Sequence, residues 1–281
     1  MPPLEKKLTL VILCSFAIGC VNLKHVSEFS DSSISALANY ETLPTSFAQA
    51  CRENCRQEHI ANFNVYRTEC DCSSDEKADS ITRLIYTTSM QYFEGLMQIS
   101  DNTLTYYETS DLSGILGSGN FGPVQLQEED VKAHSKIATL VLRAFSDGYR
   151  RNRIKQYIKE ADAPLQVLIH FLRLNLNGNL NGKLEVQKGK AQNLYFDLVN
   201  DKSLSTYERT KFAEDYFKRI SQIDENQRQL QRFDEVLDEI AKGHQTLYAN
   251  LDGLDDNEVK GRLARLRYRL DQAASFLSSQ K

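Results

Sequence analysis

The 281-residue chain has no tryptophan, three methionines and five prolines, and none of the prolines lies beyond Pro164. The last 117 residues, 165 to 281, therefore lack the strongest helix breaker. Positive charge is also in short supply. The formal charge is −4, and without Glu5, Lys6 and Lys7 it becomes −5. A net acidic chain makes a poor general nucleic-acid ligand, because phosphate binding needs positive potential. Apolar runs long enough to span a bilayer, about 20 residues, are missing as well. The longest in the body of the chain, Leu165 to Leu176, has twelve residues, which is core length. No HExxH, GxSxG or EF-hand pattern occurs, and no carboxylate pair stands out for acid–base work. The expectation is a non-enzymatic protein with no catalytic, cofactor or metal residues and no cofactor. With 41% hydrophobic and 26% charged residues, the chain can still bury a core.

The N-terminus carries an export pattern. Lys6 and Lys7 precede an eleven-residue apolar stretch, Leu8 to Ile18, too short to cross a bilayer. It runs into Ala17-Ile18-Gly19-Cys20. This tetrad resembles the lipobox of bacterial lipoproteins, with Ala17 in place of the usual leucine. The resemblance covers residues 1–20 and implies removal of 1–19 as a signal peptide and acylation of Cys20. The mature domain, 20–281, would then sit on membrane lipid in the cell envelope. Val21 in place of an aspartate favours the outer membrane if the source is Gram-negative.

Six cysteines are present, of which Cys14 would leave with the signal and Cys20 would carry lipid. Cys51, Cys55, Cys70 and Cys72 remain, an even number in an oxidising compartment. Cys51 and Cys55 share a helix face, and Cys70 and Cys72 are too close to bridge each other. Nested bridges, Cys51–Cys72 and Cys55–Cys70, fit a helix turning back over a Cys-rich turn at 51–72. The alternative is a metal site on Cys51, Cys55 and His59, which recur every four residues, completed by Cys70 and Cys72. Zinc motifs usually show tighter, regular pairs, and exported thiols oxidise, so disulfides are preferred.

The periodicity is helical throughout. A stripe over 23–43 stops at Pro44, a second helix covers 45–60, and Ser74 and Asp75 cap a third, to Ile99. Glu128, Glu129 and Asp130 open a helix to about Lys159, and Pro164 suits the first turn of the next. Residues 174–184, rich in Asn and Gly, read as a weak continuous helix or as a hinge or hairpin. Ser205 to Glu208 is a capping box. From there Tyr216, Ile223, Leu230, Leu237, His244 and Leu251 recur every seven, beside Phe233, Ile240, Leu247 and Leu254. Gly253 ends this helix, and Val259, Leu263, Leu266, Leu270, Ala273 and Leu277 form an antiparallel partner. The fold class expected is all-α: an elongated antiparallel bundle of about five long helices with a coiled-coil-like C-terminal hairpin.

Two groups of residues invite chemistry. In the glycine-rich loop at 112–124, Gly117-Ser118-Gly119-Asn120-Phe121-Gly122-Pro123-Val124 is similar over eight residues to the glycine-rich loop of protein kinases. The kinase His-Arg-Asp and Asp-Phe-Gly triplets are absent, which leaves a flexible loop. Basic side chains gather at Arg143–Lys159 and Arg262–Arg269, where they meet anionic headgroups or glycans or simply solvate a helix face. His170 and His244 fall on apolar stripes and are read as satisfied core side chains. The functional expectation is a membrane-anchored lipoprotein with a binding or structural role toward an unknown protein or envelope partner. A pore-forming-like, membrane-active bundle is the alternative.

Overall fold

The computed structural model describes residues 23–62, 64, 70–101, 117–146 and 154–279. They form eight α-helices: α1 (Lys24–Leu37), α2 (Phe47–Ala61), α3 (Ser73–Asp101), α4 (Glu128–Ser146), α5 (Ile154–Arg173), α6 (Asn181–Val199), α7 (Thr206–Ala249) and α8 (Asn257–Ser279). A 3₁₀ turn over Ala38–Thr42 follows α1 and ends ahead of Pro44. Among the described residues the only sheet is the hairpin β1 (Gly119–Phe121) and β2 (Val124–Leu126). The chain is all-α.

The packing partners form a ring. Helix α1 lies between α3 and α8, α8 packs on α7, α7 on α5, α5 on α4, and α4 on α3. Inside it, Phe29, Ile85, Tyr92, Phe93, Tyr157, Leu168, Leu237 and Leu247 are buried. Both seams of α7 contribute: Leu230, Phe233, Leu237, Ile240 and Leu247 have no exposed surface. The Ser205 hydroxyl accepts from Glu208 N, and the Glu208 carboxylate accepts from Ser205 N, which closes the capping box of α7.

Several elements differ from the sequence expectation. Pro164 lies inside α5 rather than in a first turn, and the helix from Glu128 is described to Ser146 rather than Lys159. A mid-helix proline removes one backbone donor. The stripe Ile154, Tyr157, Ile158, Ala161, Leu165 and Leu168 is buried on both sides of it, so core packing outweighs that loss. Helix α3 begins at Ser73, and the Asp71 carboxylate accepts from Ser73 N and Oγ, in place of a cap at Ser74 and Asp75. The segment Gly119–Leu126 is a hairpin, not a loop. Gly122 takes φ 61° at the first position of its two-residue turn, as a type II′ turn requires. Residues 112–116 of the glycine-rich stretch lie outside the described residues.

The Asn/Gly segment is neither hinge nor hairpin. Leu174–Leu180 is a π-helical turn that joins α5 to α6 without a break. Leu172, Leu176, Leu180 and Leu184 recur every four residues and are all buried. At 3.6 residues per turn a four-residue repeat drifts about 40° per step, and a widened turn keeps it on one face. The amide of Asn175 donates to Phe171 O, and that of Asn179 donates to Asn175 Oδ1 and to Pro123 O, which ties the turn to the hairpin.

Candidate functional site

Two nested disulfides staple α2 to the start of α3, Cys51–Cys72 and Cys55–Cys70, with Cα separations of 5.9 and 6.2 Å. The imidazole of His59 lies 3.3 Å from Cys55 Sγ, and the ligand atoms of Cys55, His59 and Cys70 fall within 4.8 Å of one another. With both sulfurs bonded to each other there is no thiolate to hold a metal, and His59 is left as a single donor.

At the centre of the bundle, Tyr92 Oη donates to His244 Nε2 at 2.7 Å, and His244 Nδ1 donates to Asp162 Oδ1 at 2.9 Å. The order Tyr–His–Asp is that of a proton relay, yet Tyr92 and His244 are both fully buried, so no substrate atom reaches either. Burial pushes the Tyr92 hydroxyl well above the ordinary tyrosine range, which keeps it a donor. The network satisfies two buried polar groups, Tyr92 and His244, through the partly buried Asp162 where α3, α5 and α7 meet. His244 is thus a satisfied core side chain. His170, expected to be one too, is exposed on α5. His134 is buried against Thr88 at 2.9 Å, and desolvation lowers its pKa so that the imidazole stays neutral.

A small cleft of about 150 Å³ is lined by Tyr40, Glu41, Asp79, Arg83, Leu176 and Leu180. Ligand sites usually offer roughly 300–1,000 Å³. Its polar groups are already engaged: Asp79 accepts from Ser46 Oγ, Phe47 N and Ala48 N, and Arg83 pairs with Glu41. The basic clusters are largely paired too. Arg143 meets Glu160, Lys155 meets Asp252, Arg262 meets Glu258, Arg267 meets Glu28 and Arg269 meets Glu239. Arg150, Arg151 and Arg153 lie outside the described residues. No described helix is long and apolar enough to cross a membrane.

The feature these groups do not account for is the tip of the α6–α7 hairpin. Between residues 188 and 222 no side chain is fully buried. At the base of that stretch, α2 braces the two arms: Gln187 donates to Ala50 O, Lys190 pairs with Glu58, and Arg219 pairs with Glu53. Above it, the polar contacts made by residues 191–218 stay within the segment among the described residues. Four rings cross the hairpin in a row, with centroids 5.8 Å apart for Phe196–Tyr195, 4.4 Å for Tyr195–Tyr216 and 5.3 Å for Tyr216–Phe217. Phe196 and Phe217, at its ends, are 57% and 63% exposed, and Tyr207 nearby is 78% exposed. Isolated exposed apolar side chains need no explanation, but a contiguous row of them marks an interaction surface.

Sequence reasoning took Tyr216 as a seam residue and passed over its neighbours. The available signal was a pair of adjacent aromatics on each arm, Tyr195-Phe196 and Tyr216-Phe217, in otherwise polar helices. No family model, curated protein or solved structure matches the chain.

Proposed function

We propose that the chain is an exported lipoprotein held in the cell envelope by acyl chains on Cys20, where it serves without catalysis as a binding or structural element. The outer membrane is the expected site if the source is Gram-negative. One observation carries this reading: the start of the bundle and the aromatic tip lie at opposite ends of α7. Leu23 is buried, and His25 Nε2 donates to Leu254 O just beyond the C-terminal end of α7. Only two residues, Val21 and Asn22, separate Leu23 from Cys20, at most about 10 Å of chain. The tip stands at the N-terminal end of the same 44-residue helix, about 66 Å away at 1.5 Å per residue.

The finer architecture belongs to this reading. We take α3, α4, the continuous α5–α6 rod, α7 and α8 as five long elements of an elongated bundle, with α7 and α8 as a coiled-coil-like hairpin. Such a body is a spacer that holds an apolar tip away from the bilayer. Buried methylenes contribute about 0.8 kcal/mol each, so two or three acyl chains would keep it there essentially permanently. Intact-mass analysis of protein extracted from native membranes tests the anchor. The expected species begins at Cys20 and carries acyl chains, and Cys20→Ser leaves the membrane or keeps its signal. A membrane-derived chain without acyl addition at Cys20 would refute the reading.

A further inference from the structure

We propose that the outer disulfide, Cys55–Cys70, is a site of thiol–disulfide exchange. It takes a low-molecular-weight thiol as a mixed disulfide on Cys70, with His59 as proton donor to the departing Cys55 sulfur. This goes beyond the anchor reading and does not depend on it.

The two nested bonds join the same pair of helices, but their surroundings differ. Exchange begins when a thiolate reaches one sulfur of the bond, and it is faster when the other sulfur leaves easily. Access separates the two bonds first. Cys55 and Cys70 both keep part of their surface open, as does His59. In the inner pair Cys72 is buried, with 4% of its surface exposed. The groups beside the sulfurs separate the bonds again. His59 stands one turn after Cys55 on α2, and its Nε2 lies 3.3 Å from Cys55 Sγ. A protonated imidazole in that place stabilises negative charge on the sulfur, the arrangement that makes cysteines reactive. Beside Cys51 Sγ the reverse holds. The Asp71 carbonyl oxygen lies 3.8 Å away, and an acceptor there disfavours a thiolate.

The same asymmetry fixes which sulfur is attacked. Among the described residues no hydrogen bond reaches Cys70 Sγ, so Cys55 is the better leaving group and Cys70 the electrophile. The incoming thiolate forms a bond to Cys70 Sγ, the Cys55–Cys70 bond breaks, and its electron pair passes to Cys55 Sγ. The imidazolium of His59 gives that sulfur a proton, and the ring is restored by the proton that the incoming thiol released. One thiol and one disulfide thus become one thiol, at Cys55, and one mixed disulfide, at Cys70, with no further oxidant or reductant. Both sulfurs are half-buried, which favours a slender nucleophile over a cysteine held in a folded protein. Cys51–Cys72 stays closed throughout, so α2 remains stapled to α3 while the outer bond is open.

The test is timed exposure of the detergent-extracted full chain to excess reduced glutathione, with a chelator present. N-ethylmaleimide then caps Cys55 before it can attack back, and non-reducing peptide mapping locates each group. Glutathione is expected on Cys70, maleimide on Cys55, and an intact Cys51–Cys72 bond. His59→Phe and His59→Ala should each slow adduct formation at least ten-fold and divide the adduct between Cys55 and Cys70. A loss of packing alone would not produce that change of position, and unchanged far-UV melting shows that folding is not the cause. The Cys20→Ser chain should react as the wild type does, so this proposal and the anchor reading fail separately. Absence of any adduct, an adduct on Cys55 in the wild type, opening of Cys51–Cys72 at an equal rate, or a rate indifferent to both His59 variants would each overturn the proposal.

Discussion

Gly243→Ala is expected to destabilise the bundle by about 2 kcal/mol or more, although alanine is the better helix former by about 1 kcal/mol. A Cβ at position 243 would lie 2.1 and 2.2 Å from two ring carbons of Phe29. Ordinary carbon contacts sit near 3.5–4.0 Å, so the ring would have to withdraw by more than 1 Å. It has nowhere to go: Phe29 is fully buried and meets Phe93 edge-on at 6.0 Å. The displacement would push α1 away from α7. Phe29→Ala alone should cost about 3–5 kcal/mol, as buried phenylalanines do. On that background Gly243→Ala should become neutral or stabilising, because the clash is gone and only the helix propensity remains. A double-mutant cycle in urea reads this directly. Equal effects of Gly243→Ala with and without Phe29 would show that the ring does not pack there.

The second large effect is expected at the staple. The disulfides close sequence separations of 21 and 15 residues, each contributing roughly 3 kcal/mol in the chain-entropy model. Because one loop is nested in the other, removing both should cost less than twice that. Cys51→Ser/Cys72→Ser is expected to lose about 3 kcal/mol, and the four-serine chain more. The damage should concentrate in α2, whose remaining ties to the hairpin include the partly exposed pairs Lys190–Glu58 and Arg219–Glu53. Hydrogen exchange should therefore show α2 opening at free energies well below those of α3 and α7. A loss under about 1 kcal/mol in the four-serine chain would mean that α2 holds its place by packing alone.

Helices were legible where one face had to be buried. The heptads of α7 and α8 announced themselves because Leu230, Leu237, Leu247, Leu263 and Leu270 each meet a neighbouring helix. The cap at Ser205 is a local hydrogen-bond pattern and needs no tertiary context. Pro164 misled because its backbone preference is local while its burial among Ala161, Leu165 and Leu168 is not. At 174–184 the continuous helix was legible beside the competing hairpin signal of the Asn-Gly repeats, but its π widening was not: the four-residue spacing of Leu172, Leu176, Leu180 and Leu184 points to it only once both flanks are known to be helical. The central Tyr92–His244–Asp162 network joins residues up to 152 apart in sequence, a separation no periodicity spans. The tip was hidden because exposure, unlike a seam, leaves no period. Tyr195 and Tyr216 become neighbours only when α6 and α7 fold back on each other.

The central claim, that Cys20 anchors one end of α7 while the aromatic tip is held off the bilayer, is tested most directly by a distance. A donor dye on Lys202→Cys, in native lipidated protein reconstituted into vesicles carrying acceptor-labelled headgroups, reports how far the tip stands from the membrane. With α7 about 66 Å long, the expected result is weak energy transfer, matching a separation of about 60 Å. Strong transfer, as from a dye within about 20 Å of the headgroups, would mean that α7 lies along the bilayer or that the tip itself meets it, and would contradict the account.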